Sequence, residues 1–176
     1  MGTWRVTGAA MPALRESGGR VVNVASGMAF VALPFAPAYA MSKHGIVAYG
    51  QALRLEHGDE ISVTTVYPGV VKTPIHRDSE EFGLTLDGTS PTESIDDAVA
   101  ALMKATFAEP APRDITTTRS GRFLNALSQH APKRFVDWVV LNGIRKNLRD
   151  RSPAGAAPPL ADFVARLQAS THKQEE

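Results

Sequence analysis

Three side chains in this sequence have the types and spacing for proton transfer at an oxygen: Ser26, Tyr39 and Lys43. Tyr39 and Lys43 are four residues apart, which on a helix places a phenol and an ammonium on one face, one turn apart. Ser26 lies thirteen residues before Tyr39, far enough for the intervening chain to double back. A free phenol titrates at about 10, and an ammonium a few ångströms away favours the phenolate. A serine hydroxyl beside that pair can donate to a substrate oxygen while the phenol exchanges a proton with it. Such a set suits the interconversion of an alcohol and a carbonyl, with the hydride left to a cofactor. Tyr-x-x-x-Lys on its own is common by chance and usually marks a solvated helix face, so the flanking elements decide its meaning.

Those elements are legible. Residues 3–17 carry an apolar stripe at helical spacing that Gly18-Gly19 ends, with Pro12 inside it and Thr7-Gly8 read as part of the helix. Residues 20–25, RVVNVA, have the nearly continuous apolar character of a parallel strand covered on both faces. Pro34 and Pro37 oppose helix until Pro37 can serve as a first helical residue. A helix then extends to His57, with Ile46, Val47, Gly50, Leu53, Leu55 and His57 as its packing stripe and Gly58 as its stop. Residues 61–67 form a second buried-type strand ending at Pro68-Gly69. After a long loop over 70–93, Ser94 caps a helix over 95–108, with Ser90–Glu93 as a rival start. Residues 113–118 read as a short strand, and helices follow near 120–130 and 133–148. The tail beyond Arg151 begins Pro/Ala-rich and has room for a short helix at 160–169. Alternating helix and strand is the pattern of an open parallel α/β sheet.

Composition narrows the function classes. The chain has 176 residues, a formal net charge of +1 and no cysteine, which excludes disulfides, thiolate metal sites and cysteine nucleophiles. The histidines lack ligand spacing, so no metal site is expected. Basic charge is confined to one segment, which argues against a nucleic-acid-binding module. The N-terminus lacks a signal-peptide pattern and no apolar run is long enough to span a bilayer, so a cytoplasmic location is expected.

GRVVNVAS at 19–26, YAMSK at 39–43 and YPGVVKT at 67–73, in that order and at those spacings, make the chain resemble the short-chain dehydrogenase/reductase family over roughly residues 3–118. The resemblance implies a partial Rossmann-type doubly wound parallel sheet, about its last three strands, with extra C-terminal helices. It implies an NAD(P)-dependent oxidoreductase, using NAD or NADP, in which Tyr39 is the acid/base. Ser26 polarises the substrate oxygen, and Lys43 favours the phenolate and holds the nicotinamide ribose. By the same resemblance Pro68, Gly69, Val71 and Thr73 contact the nicotinamide side, and the loop at 74–93 lies over the substrate. Met28, with Phe30, Leu33 and Phe35, could line an apolar pocket for a hydrophobic alcohol or carbonyl compound, or pack on the core. The family's opening TGxxxGxG turn and NNAG stretch have no counterpart here, so the chain reads as a carboxyl-terminal portion, expected to be poorly stable and weak in cofactor binding alone. The alternative is a non-catalytic remnant that binds a partner. The expected organisation is residues 1–118 as part of the dinucleotide-binding domain, 119–150 as a helical extension and 151–176 as a flexible tail. Homo-oligomers through the helices at 3–17 and 39–57 are expected from the family, and the basic amphipathic stretch at 133–148 could touch a membrane surface.

Overall fold

The computed structural model describes residues 2–31, 34, 36–71, 73, 92–148, 161–163 and 165–166. Helix α1 (Gly2–Ser17) ends where Gly18 takes a positive φ of 58°, a turn that a side chain would strain. Strand β1 (Arg20–Val24) follows, then a 3-10 turn at Gly27–Ala29 that sequence patterning did not anticipate. Helix α2 (Pro37–His57) starts on the proline the sequence singled out and stops at Gly58. Strand β2 (Ser62–Tyr67) leads through Pro68-Gly69 into the two-residue β3 (Val70–Val71), which pairs in parallel with β4 (Thr92–Glu93). Helix α3 (Ile95–Phe107) is capped by Ser94, whose side chain accepts from the Asp97 amide at 3.0 Å, as expected for that start. Strand β5 (Asp114–Thr116) and helices α4 (Arg119–His130) and α5 (Lys133–Leu148) complete the order. Thr117 and Tyr67 show why β5 sits where it does: the Thr117 amide donates to the Tyr67 carbonyl at 3.4 Å.

Among the described residues, β1, β2 and β5 form one parallel sheet in the order β1-β2-β5, as the alternating pattern predicts. Register pairs Val21 with Val63 and Asn23 with Thr65, so these residues share a face with Tyr67. That face is covered by α1 and α2. Leu53, Ile61 and Val63 form one buried cluster with Met11, Leu14, Val21 and Tyr49 against it. Ala25, Ala29 and Tyr67 form a second, joined by Phe30, Ile46 and Val47. Gly50 is required where α2 crosses the sheet, since a Cβ there would lie 2.9 Å from Asn23 Nδ2 and 3.0 Å from Thr65 Oγ1. One expected member of the α2 stripe is not in the core: Leu55 is 87% exposed. Residue 54 faces the sheet instead, and a side chain one position on is rotated about 100° away. Thr64, Val66 and Ala105 are fully buried on the opposite face, where α3 packs.

Candidate functional site

Ser26 sits at the carboxyl end of β1, held by the strand ladder. Ala25 N donates to Val66 O and Gly27 N to Pro68 O, both at 2.8 Å, so the Ser26 turn is clasped to the Pro68-Gly69 turn of the neighbouring strand. Ser26 is buried and caps the 3-10 turn, its Oγ accepting from Met28 N at 3.1 Å. That contact uses an oxygen lone pair and leaves the hydroxyl proton to be donated.

Tyr39 and Lys43 lie in the first two turns of α2. Lys43 Nζ is 5.7 Å from the centroid of the Tyr39 ring and donates to the Val24 carbonyl at 3.3 Å. That carbonyl is two residues before Ser26, so the bond brings the ammonium to the end of β1. Burial of Lys43 holds its pKa below the ordinary lysine value, because desolvation penalises the charged form. Tyr39 is 39% exposed, open to a ligand. His44, beside Lys43, donates from Nδ1 to the Ala40 carbonyl of its own helix at 2.8 Å and is exposed, so it does not pack on the sheet.

The remaining predicted positions divide. Pro68 and Gly69 lie against Ser26-Gly27, and Val71 pairs with Glu93 across β3 and β4. Thr73 is exposed. Met28 is half-buried in the 3-10 turn. Phe30 packs on Tyr67 with ring centroids 4.6 Å apart, so it belongs to the core, not to a pocket wall. Leu33, Phe35 and residues 74–91 of the proposed covering loop lie outside the described residues.

Two polar groups that tie the sheet to its neighbours, Thr117 at this end and Arg54 at the far end of α2, had no sequence signal beyond their types. Thr117 Oγ1 accepts from Gly69 N at 3.1 Å and donates to Glu93 Oε2, joining three segments behind the Pro68-Gly69 turn. Arg54, inside the otherwise apolar face of α2, donates to Val63 O at 2.9 Å, Thr65 Oγ1 at 2.8 Å and Arg113 O at 2.7 Å. It also pairs with Asp114 at 3.4 Å, and Tyr67 Oη donates to the same carboxylate at 3.0 Å. A charged residue set beside Gly50 and Leu53 was the available clue.

Residues 1–82 match the family model for short chain dehydrogenases. Over that span the chain is similar to the short-chain dehydrogenases. The dehydrogenase/reductase SDR family member 7B of Bos taurus is 32% identical over 146 residues, which cover 73% of this chain and 45% of the relative. The 11-beta-hydroxysteroid dehydrogenase-like 3 of Arabidopsis thaliana is 43% identical over 72 residues, 41% of this chain and 23% of the relative. The chain thus spans less than half the length of these two curated relatives. A short-chain dehydrogenase from Burkholderia cenocepacia, solved in complex with NADP, matches with a TM-score of 0.65 at 25% identity, over 80% of this chain and 54% of its own. A short-chain dehydrogenase from Streptomyces avermitilis shares the fold with a TM-score of 0.57.

Proposed function

We propose that this chain carries the proton-transfer half of an NAD(P)-dependent oxidoreductase that interconverts an alcohol and a carbonyl. The observation that supports this most is the Lys43 bond to the Val24 carbonyl, which sets an ammonium beside both Tyr39 and the Ser26 turn. The donor set suits the nicotinamide riboside part of a dinucleotide: an ammonium and a phenol for hydroxyls, and the Pro68–Val71 backbone for a carboxamide. Among the described residues no glycine-rich turn leads from a strand into an α-helix, the usual cradle of a pyrophosphate, so the fit is to that part alone. NAD or NADP, when bound, supplies or accepts the hydride at the substrate carbon.

The chain's own residues manage the oxygen. Tyr39 Oη gives a proton to it during reduction and takes it back during oxidation. Ser26, its lone pair engaged by Met28 N, donates its free proton to that oxygen and steadies its developing charge. Lys43 holds the ribose and offsets negative charge on the phenolate. Met28 offers an apolar contact to the substrate, and Thr73 with Val71 borders the nicotinamide. Exposed Trp4 and Val6 on α1, with Met41 and Leu55 on α2, support self-association through these helices, which sedimentation velocity would register as a dimer or tetramer.

The reading is tested by following oxidation of NADH and NADPH by the chain against a panel of ketones and aldehydes. Tyr39→Phe is expected to lower turnover by about a hundredfold or more. Turnover that survives the substitution would remove Tyr39 from its role, and absence both of turnover across the panel and of saturable nicotinamide mononucleotide binding would favour a non-catalytic, partner-binding chain.

A further inference from the structure

Helices α4 and α5 turn aromatic and basic side chains to solvent. On α5, Val136 is buried, Arg134 and Trp138 lie on the opposite side of the helix, and these two and Phe135 are exposed. The Phe135 and Trp138 rings stack with centroids 5.7 Å apart, yet remain 48% and 56% exposed. On α4, Gly121 is buried against Thr118, and Arg119, Arg122 and Phe123 face outward. Lys133, at the start of α5, is exposed as well. Asp137 is the one carboxylate in the sequence from 119 to 144, and over 119–151 eight lysines and arginines face two aspartates.

The chemistry of this surface selects its partner. The rings are not packed on the chain's own core. Self-association through this patch would bring two sets of its lysines and arginines into one interface with Asp137 as the one carboxylate each copy offers, a net like-charge contact. Aromatic rings that are apolar with a polar edge, set among cations, match the boundary between anionic headgroups and acyl chains. No helix among the described residues is long and apolar enough to cross a membrane, so contact would be along the surface.

We propose that the outward faces of α4 and α5 rest on an anionic lipid surface. Phe123, Phe135 and Trp138 enter the headgroup boundary, and Arg119, Arg122, Lys133 and Arg134 meet lipid phosphates. This proposal stands apart from the oxidoreductase reading, since none of these residues belongs to the Ser26, Tyr39 and Lys43 site.

Co-sedimentation of the full chain with vesicles of phosphatidylcholine, with and without one third phosphatidylserine, tests it. Binding is expected to be at least about tenfold stronger on the anionic vesicles, each basic residue near the surface contributing up to about fivefold, and to weaken as salt is raised. Lys133→Glu combined with Arg134→Glu should return binding to the level of neutral vesicles. Trp138→Ala should weaken it about fivefold or more, while Trp138→Tyr, which keeps an amphipathic ring, should retain most of it. In a Trp4→Phe background, the remaining tryptophan emission should shift to the blue on anionic vesicles. Equal binding to both vesicle types, no binding to either, or an unchanged Trp138→Ala variant would overturn the proposal. So would a lipid-independent dimer that Trp138→Ala disperses, which would assign the patch to a second copy of the chain.

Discussion

Helices α2 and α3 cover opposite faces of the same sheet, and each is tied to it by one arginine, in opposite senses. Arg54 leaves α2 and reaches inward to Val63, Thr65, Arg113 and Asp114. Arg20 leaves β1 and reaches outward to the carbonyls of Ala105, Thr106 and Ala108 and to Glu109, neutralising the negative end of α3. At the α2 junction the Arg54 side chain is 11% exposed and its carboxylate partner Asp114, shared with Tyr67, is 35% exposed. The α3 junction lies at a helix end beside an exposed glutamate. Helix α2 is held a second time, eleven residues earlier, by Lys43 on Val24, a spacing of about 16 Å along a helix. Helix α3 keeps Ile95, Val99, Met103 and Phe107 exposed along its outer side. The contrast shows where the fold spends its rigidity: on the helix that presents Tyr39 and Lys43.

Three substitutions rank that difference. Arg54→Ala removes a mostly buried cation, takes a donor from the Val63 and Arg113 carbonyls and from Thr65, and leaves Asp114 with Tyr67 and Arg113, so a loss of about 3 kcal/mol in urea unfolding is expected. Arg20→Ala removes helix-end hydrogen bonds and an ion pair with an exposed partner, and a loss of about 1–2 kcal/mol is expected in the same measurement. If Arg20→Ala proves the costlier, the contrast between the helices is wrong. Tyr67→Phe should cost about 1 kcal/mol at neutral pH, the value of one hydrogen bond to a charged acceptor that keeps another partner.

Tyr67 makes the α2 side of the sheet sensitive to pH. Burial, and then the Asp114 charge, raise its phenol above the ordinary value of 10.0. The unfolded chain releases that proton near 10 while the folded chain keeps it. The stability tied to the protonated phenol is therefore complete below pH 10 and declines as pH rises above it. Unfolding followed from pH 9 to 11 should show this alkaline decline in the wild type and a smaller one in Tyr67→Phe.

Much of this was legible in the sequence, because the deciding signals were local. The β-branched run at 61–67, Pro37 as a first helical residue and Ser94 as a cap each depend on a few neighbours. The 3-10 turn at Gly27–Ala29 was not legible, because it is fixed by Gly27 bonding Pro68, forty-one positions away. The pairing of Val70–Val71 with Thr92–Glu93 is also remote, across twenty-two positions. Arg54 was missed and Leu55 placed in the core for one reason: a periodic reading scores apolarity, and here a cation with five donors met a row of strand carbonyls and hydroxyls. Ser26, Tyr39 and Lys43 were named from order and spacing, but the contact that joins Lys43 to β1 is made to a backbone carbonyl, which no side-chain pattern reveals.

The proposed function requires the end of β1 and the start of α2 to seat a nicotinamide riboside. The direct measurement is a titration of the isotope-labelled chain with nicotinamide mononucleotide, followed by amide chemical shifts. Saturable shifts are expected at Gly27, Tyr39, Lys43 and Gly69, weakened at least about fivefold by Lys43→Met. Because burial lowers the Lys43 pKa, binding should also fade on the alkaline side before pH 10.5. Shifts that fall elsewhere, or a Lys43→Met chain that binds as tightly as the wild type, would contradict the claim.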